Sequence, residues 1–112
     1  MRDTAGSDMA RFDVYPHPDA VLRKKTPYLL DVQNNHISRI ATRVVVPLRP
    51  SSLFTQPMRD LNPAFEIAGK TFVLDTAALA AVPAAELKKA VSSLASESST
   101  IVAALDVLFG AY

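Results

Sequence analysis

The pattern of hydrophobic and polar positions divides the chain into a strand-rich part and an apolar C-terminal stretch. In the first part, apolar side chains alternate with polar ones or form short β-branched runs, which is typical of strands in a sheet. Four such stretches occur: Arg11 to Tyr15, Tyr28 to Gln33, Arg43 to Leu48, and Ala64 to Asp75. Proline or asparagine residues lie at or just beyond the ends of the first three, and the fourth contains two strands. We expect the second and third to be antiparallel neighbours.

The fourth stretch predicts a β-hairpin. Two short strands, Ala64 to Ile67 and Lys70 to Asp75, flank the dipeptide Ala68-Gly69. A two-residue connection that ends in glycine is a strong local signal for a tight turn between antiparallel strands. The alternation turns four side chains inward: Phe65, Ile67, Phe72 and Leu74.

The last thirteen residues, Thr100 to Tyr112, have the period of a helix rather than a strand. Asp106 is their only charged side chain, and a helix so apolar is covered on more than one side. Gly110 is predicted to end the helix as a left-handed cap, and the serines of residues 96–99 are N-cap candidates. The apolar residues at helical spacing are Ile101, Val102, Ala104, Leu105, Leu108 and Phe109.

The segment between the hairpin and this helix is ambiguous. Asp75 or Thr76 is suited to cap a short alanine-rich helical turn that Pro83 would end. From Ala84 to Ala95, helix propensity favours a helix, whereas apolar and polar residues also partly alternate. The predicted fold is mainly β, a small antiparallel sheet or half-open barrel of five strands with one C-terminal α-helix packed against it.

Length and composition indicate an ordinary globular domain. The 112 residues suffice for one core, so we assign residues 11–112 to a single domain and the polar residues 1–10 to a disordered leader, with Met1 or Met9 as the start. The net charge is +1 and cysteine is absent, which excludes disulfides and thiolate chemistry. No apolar run approaches the roughly 20 residues of a membrane-spanning helix, and we expect a cytoplasmic protein.

The sequence offers little catalytic chemistry. His17 and His36 have no nearby acidic pair, so they do not form a metal-binding motif, and the three glycines are too isolated to cradle a phosphate. Arg39 and Arg43 are thin support for contact with nucleic acid, because no aromatic residues are interleaved with them. We therefore expect no cofactor, no metal and no enzymatic activity.

Several short motifs resemble the CcdB family, the toxins of CcdA/CcdB toxin–antitoxin modules. The similarity covers Arg11 to Tyr112. It is carried by RFDVY from Arg11, YLLDVQ from Tyr28, RVVVPL from Arg43, and LNPAFEIAGKTFVLDTAALAAVP from Leu61. The resemblance implies an SH3-like fold and a homodimer that binds the A subunit of DNA gyrase and traps its cleaved-DNA complex. It also implies a CcdA-like antitoxin that folds on the toxin, with operator DNA contacted only through that complex.

The resemblance also assigns individual residues. The implied gyrase-binding residues are Ile37, Asp106, Phe109, Gly110, Ala111 and Tyr112, and the implied dimer-interface residues are Ile101, Leu105, Leu108 and Phe109. The family helix ends in Phe-Trp-Gly-Ile, whereas this chain ends in Phe-Gly-Ala-Tyr and contains no tryptophan. Aligned without a gap, Gly110 stands at the Trp position, and a shift by one residue places Phe109 there instead.

Two alternative functions remain open at this point. One is a dimeric antitoxin-binding protein of the same fold whose toxicity is weakened or redirected. The other is an endoribonuclease, because the related MazF/Kid toxins share this fold, and it would require a basic groove containing Arg39 or Arg43.

Overall fold

The central feature of the fold is one antiparallel sheet whose third strand pairs with three other strands. The computed structural model describes residues 9–37 and 39–110, except for the side chain of His36. Within these residues the regular elements are β1 (Asp13–Pro16), β2 (Tyr28–Asp31), β3 (Thr42–Pro50), β4 (Ala64–Ile67), β5 (Lys70–Leu74), β6 (Ala80–Pro83), β7 (Ser92–Ser93) and α1 (Ser98–Phe109). The strand order is β4-β5-β3-β2-β1-β7, and β6 pairs with β3 beside this path.

Strand β3 pairs with β2 along one edge, which confirms the predicted antiparallel neighbours. Along its other edge, Thr42 to Val45 pair with β6, and Leu48 to Pro50 pair with β5. Pro47 lies between these two pairings, and its carbonyl oxygen accepts a hydrogen bond from Asp75 N–H at 2.9 Å. The missing N–H of Pro47 therefore falls where the ladder changes partners, a position at which proline removes little strand pairing.

The sheet is covered on both faces. On one face a large core includes Val14, Leu30, Val46 and Leu74 together with Ile101 and Ala104 of α1. On the other face a smaller core forms from Tyr15, Leu29, Val45 and Leu87. Because both faces are covered, the alternation of apolar and polar residues in β1 does not mark a solvent-exposed face: Asp13 and Tyr15 are each 3% exposed.

The predicted hairpin is confirmed, and so are its two strands, its two-residue turn and its inward-facing side chains. Phe65 pairs with Phe72, and all four predicted inward side chains are buried. Ala68 has φ of 53° and Gly69 has φ of 79°. Both turn residues therefore occupy the left-handed region, which a two-residue hairpin connection of type I′ requires.

Substitutions at the two residues of this turn should change the stability of the protein in opposite directions. Gly69→Ala should lower the free energy of unfolding by about 1 kcal/mol, because an L-residue is strained at this φ. Beyond Gly69 and its two chain neighbours, no heavy atom of the described chain lies within 4 Å of the added Cβ, so the cost is conformational and not steric. Ala68→Asn should instead raise stability by about 0.5 kcal/mol, because asparagine tolerates the left-handed region.

Urea unfolding of both variants measures these changes. A loss of stability in Ala68→Asn similar to that in Gly69→Ala would contradict a turn with two left-handed residues.

The segment from Ala84 to Ala95, for which the sequence leaves both helix and strand open, forms no α-helix, and its only strand is the two-residue β7. Most of the predicted alanine-rich helical turn is also absent. Thr76–Ala78 and Ala84–Glu86 are single 3-10 turns, and β6 lies between them. Further on, Val91 N–H donates to Val14 O and Leu94 N–H donates to Phe12 O, both at 2.8 Å. The free edges of β3 and β1 thus supply hydrogen-bond partners and buried contacts that outweigh a weak helix propensity.

Helix α1 confirms the predicted terminal helix and its glycine cap. Gly110 has φ of 72° and ψ of 36° and donates its N–H to the carbonyl groups of Asp106 and Val107. The predicted serine N-cap is wrong: a 3-10 turn from Ala95 to Glu97 runs directly into α1, Glu97 occupies the cap position, and no side chain caps the helix. The predicted fold class, mainly β with a barrel-like antiparallel sheet and one C-terminal helix, is confirmed.

Candidate functional site

The end of α1 presents an aromatic side chain to solvent. Phe109 is 70% exposed, and Asp106, one turn earlier on the helix, is half-buried. The left-handed cap at Gly110 ends the helix immediately after Phe109. Ala111 and Tyr112, the other two predicted gyrase-binding residues of this segment, lie outside the described residues.

The residues predicted for a dimer interface divide into two groups by burial. Ile101 is fully buried and packs inside the protomer's large core. Leu105 and Leu108 are half-buried, so together with Phe109 they retain apolar surface that a second copy of the chain could cover. One protomer therefore buries one side of α1, and the homodimer stays a prediction.

The turn that follows β2 forms the second part of the predicted site. Asn35–Ile37 is a single 3-10 turn, and the side chain of Ile37 is 47% exposed. Nearby, Ile40 is 50% exposed, and its N–H donates to Ile37 O at 3.2 Å. Two solvent-exposed isoleucines thus lie close together in one loop, an arrangement suited to contact with a protein partner.

The turn of Ile37 and the end of α1 do not pack extensively against one another among the described residues. The structure therefore presents two separate exposed apolar elements, one from the loop after β2 and one from the helix. A single partner would have to touch both elements at once.

A buried ion pair lies at the base of the loop that carries Ile37. Arg43 Nη2 and Nε lie 2.7 and 2.8 Å from Asp31 Oδ2, and the two side chains are 1% and 0% exposed. Burial raises the pKa of Asp31, while the N–H of Gln33 and the guanidinium of Arg43 oppose the increase. This pair fixes the ends of β2 and β3 to one another.

The buried position of Arg43 removes the main sequence support for an RNA-cleaving groove. Its guanidinium already binds Asp31 and is inaccessible from solvent, although Arg39 is exposed. An arginine that neutralises a phosphate must reach the surface, which Arg43 does not.

His17 lines a cleft of about 830 Å³ on the side of the smaller core. Its Nδ1 accepts a hydrogen bond from Asp19 N–H at 3.0 Å, and partial burial lowers the pKa of the imidazole. Asp19, Arg23, Glu86 and Lys88 place charges of both signs around the cleft. Within the described part of the chain, no group of three or more metal-ligating side chains is found.

The family model for the CcdB protein matches residues 11–110, which is nearly the whole chain. The chain belongs to the CcdB family. No individual curated protein matches the chain significantly. Membership of the CcdB family makes this protein a CcdB-type toxin of a toxin–antitoxin system. No helix among the described residues is long and apolar enough to cross a membrane.

Sequence reasoning missed the polar network that supports the Ile37 loop. Asp31, Gln33 and Arg43 are buried together, whereas the sequence presents Asp31 and Gln33 only within the motif YLLDVQ and presents Arg43 within RVVVPL and as a candidate for nucleic-acid contact. A signal for the network was present, because Asp31 and Arg43 interrupt otherwise apolar strands. Charged residues at such positions are rarely buried unless they are paired.

Proposed function

We propose that this CcdB family protein binds the A subunit of DNA gyrase and traps the cleaved-DNA complex by binding alone, without chemistry of its own. The observation that carries the proposal is the exposed Phe109 at the end of α1, in a chain that matches the family over residues 11–110. A large aromatic side chain left 70% exposed at a helix terminus is a favourable anchor for a protein partner.

The chemistry of this helix end suits a basic partner surface. The ring of Phe109 can stack on an arginine of the partner, and the carboxylate of Asp106 lies three residues earlier on the same side of α1. Ala111 and Tyr112 extend this contact in the proposal. The exposed Ile37 supplies a second apolar contact from the loop after β2.

The proposal includes three further elements. The toxin acts as a homodimer that covers Leu105 and Leu108. Burial of the partly exposed apolar side of α1 against a second copy of the chain lowers the free energy of the dimer. A CcdA-like antitoxin neutralises it, and operator DNA is bound only through the toxin–antitoxin complex. Because its target acts on chromosomal DNA, the toxin works in the cytoplasm.

The test is a cleavage assay with purified components. The protein is mixed with gyrase, ATP and plasmid DNA, the reaction is stopped with detergent and protease, and linear DNA is measured. We expect linear DNA to increase with protein concentration. We also expect direct binding to an isolated fragment of the A subunit that contains its dimerisation region.

Gyrase lacking that region of the A subunit is the matched control, and it should give no increase in linear DNA. Absence of both binding and cleavage would overturn the proposal in favour of redirected toxicity. Degradation of RNA by the purified protein would favour an endoribonuclease instead.

A further inference from the structure

Among the described residues, the side chain of Gln33 links the loop that carries Ile37 to the buried interior. Gln33 is 6% exposed and lies two residues beyond the end of β2. Its Oε1 accepts a hydrogen bond from Val44 N–H at 2.9 Å, and its Nε2 donates one to Ile37 O at 3.3 Å. The amide group thus links strand β3 to the 3-10 turn.

The position of Gln33 explains why a glutamine suits this link. The backbone ladder between the two strands continues to Val32, whose N–H donates to Val44 O at 3.0 Å. At the next step the chain leaves the sheet, and the side-chain carbonyl of Gln33 supplies the acceptor for Val44 N–H. Glutamine alone among side chains of this length presents an uncharged acceptor and a donor on one terminal group.

The orientation of Gln33 is in turn fixed by the buried ion pair. Gln33 N–H donates to Asp31 Oδ1 at 3.0 Å, and Gln33 O accepts from Arg43 Nη2 at 3.4 Å. Both backbone polar groups of Gln33 are therefore bound by Asp31 and Arg43, which are fully buried. Arg43 Nη1 is buried without a hydrogen-bond partner, but Nε and Nη2 of the same guanidinium bind Asp31 and Nη2 also binds Gln33 O. These bonds favour one orientation of Gln33.

The exposed loop itself is weakly anchored. Nearly half of the Ile37 side chain is in solvent, and the carbonyl group of Ile37 receives hydrogen bonds from Gln33 Nε2 and Ile40 N–H. A second support comes from Asn35, whose Oδ1 accepts from Arg11 N–H at 2.9 Å. The bond from Gln33 is thus the direct link between Ile37 and the buried network.

We propose that Gln33 is a positioning residue for partner binding, which holds the turn of Ile37 in the conformation that the gyrase A subunit contacts. The inference rests on the proposed function, because it takes Ile37 to be part of that contact surface. Gln33 itself is buried and touches no partner. Its effect on binding passes through Ile37.

The discriminating variant is Gln33→Glu. A carboxylate of the same length still accepts a hydrogen bond from Val44 N–H, but it has no N–H to donate to Ile37 O. We expect its affinity for the gyrase A fragment to fall about fivefold, the effect of losing one ordering hydrogen bond. The matched control is Gln56→Glu, the same change at the chain's other glutamine, which is exposed, and it should leave the affinity unchanged.

A double-mutant cycle with Ile37→Ala separates positioning from general damage. If Gln33 acts through Ile37, adding Gln33→Glu to the Ile37→Ala variant should cause no further loss of affinity. An equal fivefold loss in both backgrounds would overturn the proposal.

Amide hydrogen exchange provides a readout that does not depend on gyrase. We expect Gln33→Glu to speed the exchange of Ile37 and Ile40 N–H about tenfold, with no change at Leu30 in the sheet. Unchanged exchange in the loop overturns the positioning role. A wild-type protein that does not bind gyrase, together with faster loop exchange in the variant, would overturn the proposed function while leaving the positioning of the turn established.

Discussion

Replacing Phe109 by alanine should lower the affinity for the gyrase A subunit at least about 30-fold without unfolding the protein. Aromatic anchors at interfaces are worth about 2 kcal/mol or more, which corresponds to that factor. Because Phe109 is 70% exposed, its removal takes little buried contact from the protomer's core. Calorimetric titration with the gyrase A fragment measures the affinity, and thermal unfolding at fixed protein concentration checks the fold.

The matched control is Met58→Ala. Met58 is 62% exposed in the irregular segment between β3 and β4, so the variant removes a similar exposed apolar side chain away from α1. It should bind as the unchanged protein does. Equal affinity of the Phe109→Ala variant and the unchanged protein would show that the helix end is not the anchor.

The second large effect concerns stability. Replacing Arg43 by methionine should lower the free energy of unfolding by about 3–5 kcal/mol, because it leaves the Asp31 carboxylate buried without a counter-ion. Replacing both residues, Asp31→Leu with Arg43→Met, should cost clearly less, because no buried charge remains. Urea unfolding of the two variants gives the difference.

The pH dependence of the Arg43→Met variant provides an independent check. Burial raises the pKa of Asp31 above its ordinary value of 3.8. The stabilising contribution of the protonated carboxyl group is therefore fully present below pH 3.8 and is lost as pH rises through the folded-state pKa. Without Arg43 the opposing positive charge is gone, so the loss should be larger and should extend to higher pH.

Arg59→Met is the matched control, because Arg59 is an exposed arginine. Its effect on stability should stay within about 0.5 kcal/mol. A loss in Arg43→Met as small as this would contradict the assignment of Arg43 as the partner that makes a buried Asp31 tolerable.

The parts of the fold that the sequence predicts correctly are those decided by local chemistry. Ala68-Gly69 defines its hairpin because the turn needs two residues with positive φ, and Gly110 ends α1 for a related reason. The strand from Ala80 to Pro83 is not predictable in this way. Its conformation depends on the free edge of β3, which lies about 40 residues earlier in the chain.

The candidate site likewise has parts that the sequence predicts and a part that depends on contacts between distant residues. Comparison with the family motifs is sufficient to select Ile37 and Phe109 as candidate partner-binding residues, and both side chains are exposed to solvent in the structure. The role of Gln33 could not be predicted, because it depends on a side-chain amide that replaces one step of the backbone ladder with Val44. No local pattern in the sequence indicates such a substitution.

The pairing of β1 with β7 has a consequence for synthesis of the toxin on the ribosome. Asp13 pairs with Ser93, about 80 residues later, and α1 follows at once. A nascent chain that stops before Ser93 lacks both the strand that completes the sheet and the helix that covers its larger core. The sheet is therefore completed only after Ser93 has been made, and the segment that ends in Phe109 is made directly afterwards. Premature termination would yield fragments that lack the proposed anchor.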